Sequence, residues 1–292
     1  MVPADSARVL VKLEGGNPTG SMKDRMALHA IERAEADGRL RAGGTVVEYT
    51  GGSTGTSLAL VCAAKGYKIR LVSSDAFSQE KRDHMRALGA EVIEVPSDQR
   101  RITRELTEAM IREAIRLSQE PDTFYVDQLR NTDAADGYRP LGEEIWRQTG
   151  GTVDAFVQSV GTSHSLQGVA RVLRSRGVRI VAVEPAESAV LSGGPSGSHR
   201  IEGIGPGFVP PLWQAERIDE ILTVSSQEAE AMARRLAAEE GLFAGTSSGA
   251  NVVAALHLAR RLGPGRTVVT LLIDSGLKYL TTELYAGRKA GG

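Results

Sequence analysis

The chain is poor in cysteine, in aromatic residues and in net charge. Cys62 is the one cysteine among 292 residues, which excludes an intramolecular disulfide framework and a metal site built from several cysteines. With 35 basic and 36 acidic side chains the formal net charge is -1, so we expect no broad electrostatic capture of nucleic acid or of an anionic membrane. The five histidines lack paired ligand spacing, so no metal site is predicted.

Long hydrophobic runs are also missing. No segment reaches the roughly 20 apolar residues that a membrane helix requires. The N-terminal sequence MVPADSARVLVKLEGG shows no basic region followed by an apolar one, so no secretory signal is predicted. Together with the hydrophobic content of 41%, these absences predict a globular protein of the cytoplasm with no membrane partner.

What the chain does contain is an alternation of short β-branched segments with longer helical ones. Strands are predicted at residues 45–49, 68–72, 91–95, 154–160, 178–185 and 267–273, most of them followed by a helical pattern. Strand, helix and strand at this spacing predict parallel sheets with crossover helices. Residues 127–140 are irregular in pattern, so two α/β domains are predicted with a boundary near residues 127–137.

Two strand-to-helix turns are suited to binding an anion. They have the sequences TGGSTG at residues 50–55 and GTSHS at residues 161–165. Free backbone N–H groups and the positive end of the following helix converge at such a turn, while glycines allow close approach and hydroxyls add donors. Each turn taken alone is equally compatible with simple helix capping.

A dinucleotide-binding turn is one alternative for the first loop. Gly52 and Gly55 have the spacing of the second and third glycines of G-x-G-x-x-G, and Asp75 follows about 20 residues later. Thr50, however, stands at the first glycine position. This alternative also gives no role to Lys23 or to the second loop, so it ranks lower.

The motifs together resemble the cysteine synthase family of fold-type II pyridoxal-phosphate (PLP) enzymes. NPTGSMKDR, at residues 17–25, is similar to the stretch that carries the family's cofactor-binding lysine. TGGSTG resembles the substrate-carboxylate loop, and GTSHS the loop that holds the cofactor phosphate. EGIGPGFVP, GTSSGAN and DSGLKYL are similar to later family segments and follow in the family's order.

The resemblance implies a fold and a set of site residues. The fold is that of tryptophan synthase β-like enzymes, with two three-layer α/β domains and mainly parallel sheets. Residues 17–131 would form the domain with the carboxylate loop, and residues 1–16 with 132–292 the larger domain with the phosphate loop. The implied catalytic residue is Lys23, which would form the Schiff base and act as a base. The other implied cofactor-binding residues are Ser53, Gly161, Thr162, Ser163, His164, Ser165 and Ser247; the implied substrate-binding residues are Thr50, Gly51, Gly52, Ser53, Thr54, Gln128 and Gly203.

By the same resemblance the reaction is a β-replacement on O-acetylserine or O-phosphoserine. Sulfide or another nucleophile would replace the leaving group and give cysteine or a β-substituted alanine, in a homodimeric enzyme. Departures from the family pattern leave the substrate open. Among them, Ser53 stands where the family usually has asparagine, His164 and Ser165 are unusual in the phosphate loop, and DGYRPLGEEIW lacks the histidine and threonines that the family commonly has there. Cystathionine β-synthase chemistry, diaminopropionate formation, serine or threonine dehydration, and a non-catalytic binding module remain alternatives.

Overall fold

The computed structural model describes residues 2–99 and 102–286. In chain order the strands are β1 (Arg8–Leu13), β2 (Thr45–Tyr49), β3 (Lys68–Ser74), β4 (Glu91–Val95), β5 (Thr123–Tyr125), β6 (Ala155–Ser159), β7 (Arg179–Pro185), β8 (Glu220–Val224) and β9 (Thr267–Leu272). The helices are α1 (Lys23–Ala36), α2 (Ser53–Lys65), α3 (Gln79–Ala87), α4 (Arg104–Leu117), α5 (Thr132–Asp136), α6 (Arg139–Gln148), α7 (His164–Leu173), α8 (Ser226–Glu240) and α9 (Thr246–Leu262).

The chain divides into two compact units. The first unit comprises Met1–Gly16 and Tyr138–Leu277, and the second comprises Asn17–Gly137 and Lys278–Gly292. Each unit contains one sheet with its own hydrophobic core. None of the helices in the described ranges is long and apolar enough to cross a membrane.

The first unit is built on a five-stranded sheet in the order β1-β9-β6-β7-β8. All of its strand pairs are parallel, and Val157 of β6 lies opposite Thr270 of β9. Every residue of β6 and β9 is buried, as expected for central strands of a parallel sheet covered on both faces. Helix α9 supplies much of the core of this unit, from Ala250 to Ala259.

The second unit is built on a four-stranded parallel sheet in the order β4-β3-β2-β5. Its core joins the buried faces of α1 and α2 to β2 and β3, with Ile31, Leu58 and Leu71 at its centre. Cys62 belongs to this core as well. Burial raises the pKa of its thiol to about 12, as is typical of a cysteine that packs in a core.

The predicted α/β class with parallel sheets is confirmed, and some local predictions are corrected. Strands β2 and β4 have the predicted bounds, but β1, β5 and β8 carry too weak a pattern to be recognised. Only the middle residue of the three-residue β5 is fully buried, and none of β1 is, so neither produces a continuous apolar run. The segment 127–140, interpreted as irregular, contains α5 and the start of α6.

Candidate active site

Lys23 is the first residue of α1, directly after a tight turn. Gly20 closes the turn with φ of +73°, a left-handed conformation that favours glycine, and its N–H donates to Asn17 O at 2.7 Å. The Asn17 side chain donates to Ser21 O at 3.2 Å. The sequence NPTGS therefore fixes the path of the chain into the helix and places Lys23 in a defined position at its start.

Asp24 holds this turn against the neighbouring helix. Its carboxylate accepts hydrogen bonds from Thr19 N at 2.8 Å, from Thr19 Oγ1 at 2.5 Å and from Ser57 Oγ at 2.5 Å. Ser57 lies on α2, so the carboxylate ties the lysine turn to the helix that follows the TGGSTG loop. This role is not apparent from the sequence, because Asp24 and Ser57 are 33 positions apart.

The TGGSTG loop is closed by its own threonine. Thr50 Oγ1 accepts from Gly52 N at 2.9 Å and from Gly55 N at 3.0 Å, and so satisfies two N–H groups at the start of α2. The two glycines before α2 allow close packing. A Cβ atom on Gly51 would lie 2.9 Å from the Phe77 ring, and one on Gly52, where φ is +135°, would overlap the Lys81 side chain.

Gln128 and Glu48 support the same loop through buried hydrogen bonds. Gln128 accepts from Thr54 Oγ1 at 2.9 Å and donates to Tyr49 O at 2.7 Å. The backbone N–H of Gln128 donates to Glu48 Oε2 at 2.9 Å. Glu48 is fully buried, and desolvation raises the pKa of its carboxyl well above its usual range. Of the predicted substrate residues, Thr50, Thr54 and Gln128 are thus brought together within the second unit.

The GTSHS loop of the first unit leads from β6 into α7. Helix α7 begins at His164, inside the predicted loop, so the backbone N–H groups of its first turn converge there with the positive end of the helix. Thr162 Oγ1 and His164 Nδ1 are 3.1 Å apart. Ser163 adopts a left-handed conformation with φ of +76°, which is unusual for a residue with a side chain.

The donors in this loop fit a phosphate group such as that of PLP. Ser163 is only 3% exposed, and its buried Oγ has no hydrogen-bond partner within the described residues. A buried hydroxyl without a partner is costly unless a ligand completes its hydrogen bonding. Hydroxyls, backbone N–H groups and a helix N-terminus are the donor set that phosphate requires.

The glycine turn around residue 203 packs directly on this loop. A Cβ atom on Gly161 would overlap the carbonyl oxygen of Gly203, so this close approach requires glycine at position 161. Gly205 N donates to Val160 O at 3.0 Å, and a ring nitrogen of His199 lies 2.8 Å from Gly205 O. Gly203, predicted to bind substrate, is therefore adjacent to the predicted phosphate loop within the first unit.

Ser247 lies in the first turn of α9 and is almost fully buried. Its neighbours fix the helix to the sheet. Ser248 Oγ accepts from Ile273 N at 2.9 Å, and the Asn251 side chain accepts from Ser159 N at 2.7 Å and donates to Leu271 O at 2.9 Å. Asn251 thereby links β6 and β9 and orients the segment that carries Ser247. The motif GTSSGAN contains these positioning residues, but their partners become apparent only in the folded unit.

Comparisons with known proteins relate the whole chain to a known family. The family model described as pyridoxal-phosphate dependent enzyme matches residues 2–274. A cysteine synthase of Staphylococcus aureus is 43% identical over 290 residues, which cover 98% of this chain and 92% of that protein.

Two solved structures are similar throughout. An O-ureido-L-serine synthase has a TM-score of 0.91 and 38% identity, and the match covers 97% of this chain and 89% of the other. The cysteine synthase of Entamoeba histolytica has a TM-score of 0.91 and 36% identity, and that match covers 100% of this chain and 86% of the other. The predicted fold, enzyme class and cofactor are confirmed. The chain belongs to the family of pyridoxal-phosphate dependent enzymes.

Proposed function

We propose that the chain is a cysteine synthase that replaces the β-acetoxy group of O-acetylserine with sulfide. The observation that carries this proposal is its 43% identity to a cysteine synthase over 98% of the chain. The solved cysteine synthase with a TM-score of 0.91 supports the same activity. The site residues support it chemically, since a lysine begins α1 and turns with a composition suited to anions lead into α2 and α7.

PLP, when bound, supplies an electron sink for the α-carbon of an amino-acid substrate. The Lys23 amine would hold the cofactor and would remove the proton from the substrate Cα atom once freed. Gly161, Thr162, Ser163, His164 and Ser165 would bind the phosphate. Ser247 would donate its hydroxyl to the ring nitrogen, and Ser53 would contact the cofactor.

The loop at residues 50–54 would bind the substrate α-carboxylate. Its backbone N–H groups stand at the start of α2, where the positive end of the helix favours an anion. Thr54 and Gln128 would hold the loop in place through their hydrogen bond. Gly203 is retained as a proposed substrate-binding residue of the first unit. Closing of the loop at residues 50–54 over the bound carboxylate would exclude water from the reacting carbon.

The proposal includes the assembly and the division of roles within the chain. Residues 17–131 would supply the lysine and the carboxylate loop, and residues 1–16 with 132–292 the phosphate loop. We further propose that the protein is a homodimer. We also propose that it acts in the cytoplasm, since its single cysteine is buried in the core. Light scattering after gel filtration tests the dimer, and a monomer mass would contradict it.

The test is cysteine formation by the purified protein reconstituted with PLP. O-acetylserine, O-phosphoserine and serine are supplied separately, each with sulfide, and cysteine is quantified. We expect O-acetylserine to give the highest kcat/KM. Lys23→Ala should lower the rate by about 10³-fold or more and abolish the absorbance of the lysine-bound cofactor. Lys68→Ala, at an exposed lysine on β3, is the matched control and should retain the wild-type rate.

Other outcomes separate the alternatives. Pyruvate and ammonia without cysteine would identify a dehydratase. Bound PLP whose absorbance no donor changes would identify a binding module. Consumption of O-acetylserine only with a nucleophile other than sulfide would relate the chain to the O-ureido-L-serine synthase that it resembles.

A further inference from the structure

An amide side chain lies on β6, one of the two strands of the first unit whose residues are all buried. Gln158 occupies β6, where all five residues are buried, and it is itself 0% exposed. Phe156 and Val157, which precede it on the strand, are apolar, and Ser159 follows it. A polar group in such a position requires hydrogen bonds within the protein. Gln158 lies three residues before Gly161, near the end of the strand that leads into the phosphate loop.

The amide of Gln158 bonds to the phosphate loop. Its Nε2 donates to Ser165 Oγ, and Ser165 lies in the first turn of α7. A serine hydroxyl has one proton and two acceptor lone pairs. Because Gln158 occupies an acceptor position, the Ser165 proton is directed away from Gln158 and is available to another acceptor. Rotation of the Ser165 hydroxyl toward the strand is disfavoured at the same time.

We propose that Gln158 is a positioning residue, which orients the Ser165 hydroxyl as a donor to the phosphate of PLP. This inference rests on the proposed function, in which residues 161–165 hold that phosphate. The phosphate is an anion that accepts hydrogen bonds at each oxygen, so a donor whose direction is fixed before binding loses less entropy on binding. Gln158 acts through Ser165 and need not touch the cofactor itself.

A double-mutant cycle on cofactor affinity tests this role. The variants are Gln158→Met, which keeps the length and removes the amide, Ser165→Ala, and the double variant. PLP dissociation constants are measured by equilibrium dialysis of each protein after removal of its cofactor. We expect Gln158→Met to weaken binding about 5- to 10-fold and Ser165→Ala about tenfold. The double variant should bind PLP as weakly as Ser165→Ala alone, because the amide has no hydroxyl left to orient.

The ³¹P resonance of bound PLP provides a second readout. Gln158→Met and Ser165→Ala should shift it from the wild-type position in the same direction. Gln167→Met is the matched control, since Gln167 is a buried glutamine of α7 whose side-chain Nε2 donates to Gln214 O at 3.4 Å and not to Ser165. It should leave both the dissociation constant and the resonance unchanged. Gln158→Asn, which shortens the amide, replaces Gln158→Met if that variant does not fold.

Two results would overturn the inference. The first is an unchanged dissociation constant in Gln158→Met. The second is an equal loss of affinity from Gln158→Met in the wild-type and Ser165→Ala backgrounds, which would reduce Gln158 to a packing residue. Failure of the proposed function is distinguishable, because it would appear in the wild-type protein as bound PLP without formation of cysteine.

Discussion

The two strand-to-helix turns solve the same geometrical problem with different residues. In the second unit, the loop at residues 50–55 is closed by Thr50 Oγ1, which accepts two backbone N–H groups, and its glycines pack against Phe77 and Lys81. In the first unit, four consecutive residues of the loop, 162–165, carry polar side chains. Ser163 adopts a left-handed conformation there, and its hydroxyl has no hydrogen-bond partner in the described part of the chain.

This difference indicates different tasks for the two loops. A loop whose side chain already bonds to its own backbone offers a ligand mainly its remaining N–H groups, which suits a small carboxylate. Side-chain hydroxyls without partners offer additional donors, which suits a phosphate with three oxygens. The shared sequence pattern of small and hydroxyl residues does not distinguish the two cases. The hydrogen bonds within each loop do.

The largest effect is expected from Gly52→Ala, which disrupts the closed loop. The new Cβ atom would overlap the Lys81 side chain, at a backbone φ of +135°. We expect a loss of about 2–3 kcal/mol in the free energy of unfolding, measured in urea, and a marked rise in the KM for O-acetylserine. Gly66→Ala is the control, because its φ is +78° but no atom lies within 4 Å of its Cβ position. Equal losses in both variants would show that steric contact with Lys81 has no effect.

Asp24→Asn should weaken the connection between the lysine turn and α2. The carboxylate accepts three hydrogen bonds, and an amide in its place has only one acceptor oxygen. We expect the free energy of unfolding to fall by about 1.5–2 kcal/mol, together with a lower kcat, because Lys23 adjoins the loosened turn. Asp37→Asn, at the exposed end of α1, provides a control. A fall in stability with an unchanged kcat would show that the turn does not position Lys23.

Glu48→Gln tests the buried carboxyl that supports the loop at residues 50–55, by the pH dependence of the melting temperature. Burial raises the pKa of the Glu48 carboxyl in the folded state, so the folded protein favours the protonated form. Its contribution to stability is complete below the unfolded pKa and is lost as pH rises toward the folded pKa. We therefore expect the melting temperature of Glu48→Gln, relative to wild type, to increase from pH 5 to pH 8, by the equivalent of about 1 kcal/mol. A difference that is constant over this range would contradict the shift.

Ser163→Gly should have the smallest effect on stability, and in the opposite direction. Glycine adopts a φ of +76° without the strain that serine bears, so we expect the cofactor-free protein to gain about 0.5–1 kcal/mol. Removing the hydroxyl should at the same time weaken PLP binding several-fold. Thermal melting and equilibrium dialysis measure the two effects. Tighter PLP binding in the variant would show that Ser163 Oγ is not a phosphate donor, and would remove the distinction between the loops.

Much of the fold could be predicted from local pattern. Residues 45–49 and 91–95 are rich in β-branched residues, with Gly44 before the first run and Pro96 after the second, and they form strands with the predicted bounds. The pattern fails where burial is incomplete, as in β1, or where a strand has only three residues, as in β5. Helix α5 was missed because its capping residue, Asn131, lies in a segment rich in turn-forming residues.

For the candidate site, the sequence identified residue types and their order but not their support. Lys23 at the start of a helix follows from the glycine and proline before it. Asn251 is different, since its amide joins Ser159 and Leu271, which lie 92 and 20 positions away. No spacing rule predicts such contacts, because they depend on which strands become neighbours.

By itself the sequence determined the α/β alternation, the lysine at the start of a helix and the two strand-to-helix turns of small and hydroxyl residues, because these depend on residues that are near one another along the chain. The tertiary structure decided what holds them: Asp24 against Ser57, Glu48 against Gln128, and Gly161 against Gly203. The physical reason is distance along the chain. Backbone propensities and turns act over a few residues, whereas hydrogen bonds and close packing between distant segments exist only after each sheet and its helices have assembled.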